Sequence, residues 1–231
     1  MHTHIMDDID VYCINFQDDI RKARMIQRFQ SHQIPLNFVE PVFIHDTRID
    51  SRLSDKRTCS IMLQHLDSIR TFYETSTKPY AIICEDDILL STNFKKDLPR
   101  ILELYRELNL DVLLLGYLLP FKLNNHSEFP LFKEIETYKC YDFPYHLWGS
   151  QMYLIHREHA KFLLDKYTME YAVADLRRPF NPDWTLTKDK KKGILYPMLA
   201  IEEGNVKTDH DGQRTFHEEC FRVNYIEHLY S

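Results

Sequence analysis

Short apolar runs alternate with amphipathic stretches through the first half of the chain, and that alternation predicts strands and helices in turn. Ile9 to Phe16 reads as a strand with Val11, Cys13 and Ile14 at buried positions. Gln17 to Phe29 is polar and helix-ready; Ile20, Ala23 or Arg24, Ile26 or Gln27, and Phe29 outline a rough apolar stripe, and Asp18 or Asp19 suits the N-cap. Leu36 to Ile44 reads as a second strand, bent or broken at Pro41. Strand, helix and strand in this order make a βαβ unit, which requires a right-handed crossover and a parallel sheet.

From Thr58 to about Thr77 the spacing is helical, with Ile61, Met62, His65, Leu66, Ile69, Phe72 and Tyr73 on one face. Ala81 to Cys84 is an apolar run typical of a strand buried on both faces. Pro99 is expected at the front of a further helix carrying Ile101, Leu102, Tyr105 and Leu108, and Asp111 to Gly116 as a strand ending in glycine. Residues 117–147 show no helical period and suggest loops and short irregular strands. Leu147 to His156 resembles a strand after a glycine turn, Arg157 to Lys166 an amphipathic helix, and the chain closes on a short apolar run, Ile194 to Met198, and a polar tail. With no repeat and no long linker, one α/β domain with a Rossmann-like first half is the simplest reading.

Composition narrows the function. A chain of 231 residues, 44% hydrophobic, is long enough for a full core, and a net charge of −6 argues against a general nucleic-acid binder. The basic run Lys188 to Lys192 is expected in a solvated loop, with contact to a phosphate as the alternative. Five scattered cysteines without a CxxC pair speak against a disulfide framework or a structural zinc site and for a reducing compartment. No apolar stretch approaches the roughly 20 residues that span a bilayer, and the opening residues lack the pattern of a signal peptide. The expectation is a cytoplasmic protein without a membrane span.

The chemistry concentrates where the apolar run Ala81 to Cys84 meets Glu85, Asp86 and Asp87. Adjacent carboxylates repel and cannot share a dry site without a cation or many donors. In an open α/β sheet, ligands bind at the carboxyl ends of the strands. A divalent cation on hard oxygen ligands is therefore the first hypothesis, with a solvated acidic turn as its rival. The five glycines form neither a P-loop nor a dinucleotide fingerprint, and no nucleophile elbow or zinc helix appears. Metal-dependent phosphate chemistry without a glycine cradle remains. Asn15, Arg21 and Arg24 after the first strand suit a nucleotide or its phosphates, with ordinary surface arginines as the rival, and Asp46 after the second strand is placed at the same edge.

Ile14-Asn-Phe16 with Arg21 and Arg24, then Cys59-Ser60 and His65, then Ala81 to Asp87 resemble glycosyltransferase family 25, the lipooligosaccharide and collagen galactosyltransferase type with relatives in large viruses. Gly149 to Ala160 and Pro182-Asp183 look like its later segments. Phe16 replaces a leucine of the family pattern, Gln64 stands where a serine precedes His65, and Ser150 replaces an aromatic.

The resemblance implies a GT-A type mixed sheet flanked by helices, with residues 9–116 as the nucleotide-sugar half and 117–231 as the acceptor half and tail. It implies a nucleotide-sugar donor, usually a UDP-sugar, with Mn²⁺ (or Mg²⁺) on the diphosphate, and inverting transfer to a glycan or other hydroxyl acceptor. Asp87 is then the direct metal ligand, with Glu85 or Asp86 on the ribose or on metal-bound water, and His210 is the candidate third ligand. Asp183 is the candidate general base, with Asp175 second, and a helix cap is the rival role for Asp183. Trp148 beside Gly149 is placed at the acceptor, and Phe121, Tyr141, Phe143 and Tyr145 are candidates to line its groove, with core packing as the equal alternative. A metal-dependent nucleotidyltransferase or other phosphodiester enzyme, and a non-catalytic nucleotide-sugar-binding relative, are the competing functions.

Overall fold

The structure is a computed structural model that describes residues 7–123, 127–204 and 211–230. In chain order the strands and helices are β1 (Ile9–Cys13), α1 (Asp19–Ser31), β2 (Asn37–Phe38), α2 (Lys56–Thr75), β3 (Tyr80–Cys84), β4 (Ile88–Leu90), α3 (Phe94–Glu107) and β5 (Val112–Leu118). They continue as β6 (Leu131–Ile135), β7 (Tyr138–Tyr141), β8 (Trp148–His156), α4 (Arg157–Lys166), α5 (Met169–Ala174), α6 (Pro182–Thr185), β9 (Lys192–Tyr196), β10 (Ala200–Glu202) and α7 (Asp211–Asn224).

Eight strands form one mixed sheet in the order β2-β1-β3-β8-β5-β9-β7-β6, and β10 pairs with β4 beside it. β1, β2 and β3 run parallel, whereas β8 enters antiparallel between β3 and β5. Successive strand residues point to opposite faces, and both faces are covered. Tyr12, Ile83, Leu114 and Tyr153 pack with Met62, Ile69 and Phe72 of α2 and Leu163 of α4. Val11, Ile82, Leu113 and Leu154 pack on the other side with Met25 and Phe29 of α1 and Leu98, Ile101 and Leu102 of α3. The α/β class with a mixed sheet flanked by helices is therefore as expected.

Several elements differ from the sequence expectation. The second strand shrinks to two residues, paired with Tyr12 and Cys13, because Pro41 lacks a ladder donor and the chain beyond Phe38 turns away. Pro99 lies inside α3 rather than at its front; buried Phe94 and Leu98 draw the preceding turn into the helix despite the proline. Gly116 sits within β5 rather than ending it, and glycine is required there because a Cβ would stand 2.8 Å from the Ala200 carbonyl oxygen. Gly149 likewise belongs to β8 itself. The polar tail contains α7, whose Phe216, Cys220 and Asn224 recur at four-residue spacing with Cys220 and Asn224 buried. Lys188, expected in solvent, is instead half-buried, with its ammonium donating to the Leu147 carbonyl and lying 4.9 Å from the Phe143 ring centroid.

Candidate active site

Because β8 runs antiparallel to β3, its first residues meet the carboxyl end of β3: Met152 faces Cys84, and the Glu85 N–H donates to the Gln151 carbonyl at 3.0 Å. The same edge receives the end of β1 and, through β4, the end of β10. The Glu203 N–H donates to the Asp87 carbonyl at 2.8 Å. Gly204 follows at φ +69°, where a Cβ would stand 2.6 Å from the Phe221 Cβ, so only glycine turns the chain here.

Each acid of the cluster has a separate environment. Asp86 accepts from Asn15 Nδ2 at 2.5 Å and from Arg21 Nη1 at 3.0 Å. Asp87 Oδ2 accepts from the same Arg21 nitrogen at 3.1 Å, while its buried Oδ1 has no hydrogen-bond partner. Glu85 Oε1 accepts from Ser150 Oγ at 2.7 Å, and that hydroxyl oxygen lies 3.0 Å from Asp183 Oδ1. Asp183 Oδ1 also accepts the Gly149 N–H at 3.0 Å. The cap of α6 is Asn181, which accepts from the Trp184 N–H at 2.9 Å, so the helix-cap role does not fall to Asp183.

Behind these groups stand residues that the sequence reading missed. Buried Glu202 accepts from His217 Nδ1 of α7 at 2.7 Å, and its Oε1 is a second buried carboxylate oxygen without a partner. Ser150 likewise joins the site unannounced. A strand-end signal for Glu202 was available, since Leu199-Ala-Ile-Glu-Glu203 repeats the apolar run into acids of Ile82 to Asp86. His217 carried no such signal. His65 of α2 is fully buried, 3.0 Å through Nδ1 from the Tyr153 hydroxyl and 3.9 Å through Nε2 from Glu85 Oε1.

This crowding shifts proton affinities. Burial, then the charges of Asp87 and Asp183, push the Glu85 carboxyl well above the usual range, against the Ser150 hydrogen bond. Burial and the Glu202 charge push Asp87 up to about 7, with Arg21 opposing. Burial raises Asp183 despite its bonds from Ser150 and Gly149. Burial would lower His217, but the Glu202 hydrogen bond and the charges of Glu202, Asp87 and Asp183 prevail and raise it.

Asn15, Phe16, Arg21, Arg57, Gln64 and the three acids line a cleft of about 330 Å³. Its mouth carries Phe16, which is 53% exposed and so offers an aromatic ring to whatever enters. Not every expected residue reaches it. Arg24 bonds Glu203 at 3.0 Å, and Arg28 bonds the same carboxylate. Asp46 bonds Arg48 in its own loop, and Asp175 bonds exposed Arg177. Trp148 and Gly149 stand beside Asp183, whereas Tyr141 and Phe143 are core. His210 lies outside the described residues.

The donor set suits a hard cation by its chemistry, since two buried carboxylate oxygens lack donors and the neighbouring Glu202 charge raises the proton affinity of Asp87. Among the described residues, however, no group of three or more His, Cys, Asp and Glu side chains already stands as a metal cage. Nor is any described helix long and apolar enough to cross a membrane.

No protein-family model and no curated protein sequence matches the chain. Solved structures similar to it include a glycosyltransferase involved in glycosylation of the major capsid of PBCV-1, at 8% identity and TM-score 0.44 over 91% of this chain and 98% of that one. Mannose-1-phosphate geranyltransferase from Thermus thermophilus matches at 9% identity and TM-score 0.41, over 81% and 73%. HddC from Yersinia pseudotuberculosis matches at 11% identity and TM-score 0.37, over 93% and 78%. At these scores none of the likenesses bears on chemistry.

Proposed function

We propose that the chain is a divalent-cation-dependent glycosyltransferase of GT-A type that moves a sugar from a nucleoside diphosphate donor to a hydroxyl acceptor. The observation that carries this reading is the pair of buried, donorless oxygens, Asp87 Oδ1 and Glu202 Oε1, beside a cleft lined by Asn15, Arg21 and Arg57. Buried carboxylate oxygens without partners are costly, and a cation bound between them would offset that cost. Asp87 and Glu202, with Glu85 beside them, would hold Mn²⁺ or Mg²⁺, which supplies neutralisation of the leaving diphosphate.

This chain's own groups do the rest. Exposed Phe16 offers a ring face to a base at the cleft mouth, and Arg57 brings positive charge to the same wall. Asp183 takes the acceptor proton as the acceptor oxygen bonds the anomeric carbon and the bond from that carbon to the diphosphate breaks. Burial raises its proton affinity, as a base requires, and Gly149 and Ser150 fix its orientation. Attack on the face opposite the diphosphate gives inversion, as in the family-25 resemblance.

The test is thermal stability with Mn²⁺ and UDP-, GDP- and CMP-sugars, followed by assay of released nucleoside diphosphate. A cation-dependent rise with one nucleotide class, abolished by Asp87→Ala, is expected. A flat response to all three classes overturns the reading, and pyrophosphate release from nucleoside triphosphates would favour a nucleotidyltransferase instead.

A further inference from the structure

Both tryptophans of the chain, Trp148 at the start of β8 and Trp184 in α6, meet in one corner of the surface. Their ring centroids are 5.4 Å apart and their planes cross at 70°, so they form an angle rather than a flat stack. Tyr145 extends the corner on one side, 5.4 Å from Trp184, with its hydroxyl donating to the Trp184 carbonyl at 3.1 Å. Phe216 of α7 extends it on the other, 6.5 Å from Trp148. Tyr145 is 55% exposed and Trp148 42% exposed, and Trp184 and Phe216 are half-buried, so none of the four rings is enclosed in the core.

Chain geometry puts this corner next to a carboxylate. Asp183 directly precedes Trp184, and it accepts the N–H of Gly149, which directly follows Trp148. The Lys188 ammonium lies 5.8 Å from the Trp184 ring centroid and draws the aromatic corner and Asp183 to one patch. Aromatic rings partly exposed beside a half-buried carboxylate match a ligand with an apolar face and a hydroxyl rim. The C–H groups on one face of a pyranose carry partial positive charge and meet the negative face of an aromatic ring, while its hydroxyls need a carboxylate acceptor. A peptide that adds to a sheet edge needs unpaired strand backbone, and β8 is paired by β5 from Trp148 onward and by β3 from Met152 to His156.

We infer that the corner of Trp148, Trp184, Tyr145 and Phe216 beside Asp183 is a carbohydrate subsite that seats a pyranose ring; that this ring is the acceptor rests on the transferase reading above. The acceptor class is then a glycan rather than a protein side chain.

Because Trp148 and Trp184 are the chain's two tryptophans, intrinsic tryptophan fluorescence reads this subsite alone. The intact chain is titrated with methyl glucoside, galactoside, mannoside and N-acetylglucosaminide, and in parallel with serine-, threonine- and hydroxylysine-containing peptides. At least one glycoside is expected to shift or quench the emission saturably, and the peptides are not. Saturation-transfer NMR, which does not need tryptophan, is expected to show at least a fivefold weaker signal for that glycoside in Trp184→Ala and Trp148→Ala. Trp148→Phe and Trp184→Phe, which keep a ring, are expected to retain binding and to divide the emission change between the two positions. No response to any glycoside, or a response to the peptides, overturns the subsite. Nucleotide-sugar binding is measured separately. Glycoside binding without donor binding leaves the subsite standing and removes the transferase reading, and donor binding without glycoside binding does the reverse.

Discussion

Glu202 and Asp87 approach from two short antiparallel strands, and each buries one carboxylate oxygen that no donor reaches. Glu202 faces Ile88 across the β4–β10 ladder, one residue from Asp87, and its charge raises the proton affinity of Asp87. His217 shields Glu202 and Arg21 shields Asp87, but each does so on the other oxygen of the carboxylate. The pair is a built-in repulsion held in place by the sheet.

That repulsion predicts a pH signature. Asp87 has its folded pKa raised to about 7 by burial and the Glu202 charge. A raised carboxyl contributes stability that is fully present below the unfolded pKa of about 3.9 and is lost as pH rises through about 7. Asp87→Asn removes this loss, so its melting temperature is expected to gain on wild type by several degrees between pH 4 and pH 8. Mn²⁺ is expected to stabilise wild type at pH 8 and not the variant. A difference between the two proteins that stays constant with pH would show that the carboxylate is not desolvated.

A second pH effect has the opposite sign and lies at the other end of the sheet. His159 of α4 is fully buried, stacks 5.7 Å from Phe162, and has no hydrogen-bond partner on either ring nitrogen. Burial lowers its pKa to about 4, against the pull of Asp111. The unfolded chain therefore takes up a proton first, and stability is lost as pH falls from about 6.5 towards 4. His159→Phe keeps the stack and removes the titration. Urea midpoints at pH 7 and pH 5 should fall closer together in the variant than in wild type, and equal spacing would refute the assignment.

Gly116 tests how β10 is held. A Cβ at this position would stand 2.8 Å from the Ala200 carbonyl oxygen, and Ala200 opens the strand that carries Glu202. Backbone cannot swing aside as a side chain can, so Gly116→Ala is expected to cost about 1–3 kcal/mol. It should also weaken cation-dependent stabilisation more than Gly212→Ala, whose added Cβ meets nothing within 4 Å. Equal responses in the two variants would mean that β10 does not depend on this close approach.

How much of this was legible in the sequence varies with the range of the interaction. The alternation from Ile9 to Gly116 encodes β1, α1, α2, β3, α3 and β5, because local periodicity reports burial directly. The acids after β3 were legible for the same reason, since charge directly after a doubly buried strand has few places to go. Glu202 carried the same strand-end signal and was overlooked, whereas His217 and Ser150 were not legible, because their importance comes from pairings between distant segments: α7 over β10 and β8 beside β3. In the folded chain Arg24 meets Glu203, a distant partner that local pattern does not show, and Asp46 meets Arg48 in its own loop. Ser150 is the clearest case. In the sequence it is only a departure from an aromatic position, while in the fold its hydroxyl touches two carboxylates.

The role of that hydroxyl can be separated from simple packing. Ser150 Oγ is 2.7 Å from Glu85 Oε1 and 3.0 Å from Asp183 Oδ1, and its hydrogen bond lowers the proton affinity of both acids against the effect of burial. One proton serves two acceptors, so the hydroxyl links the ionisation of Glu85 to that of the base. Ser150→Ala removes this stabilisation of the charged forms, and a hydrogen bond to a charged group contributes about 1.5–3 kcal/mol. The acid limb of the transfer rate against pH, which reports ionisation of the base, should therefore move upward by about one unit or more. At a pH below that limb, the variant should lose about tenfold in kcat/KM, with much of the loss regained at alkaline pH. Ser150→Thr, which keeps the hydroxyl, should restore the limb. A loss that is uniform across pH, or one that threonine does not repair, would assign Ser150 to packing and leave Asp183 tuned by burial, Gly149 and the charges of Lys188 and His217.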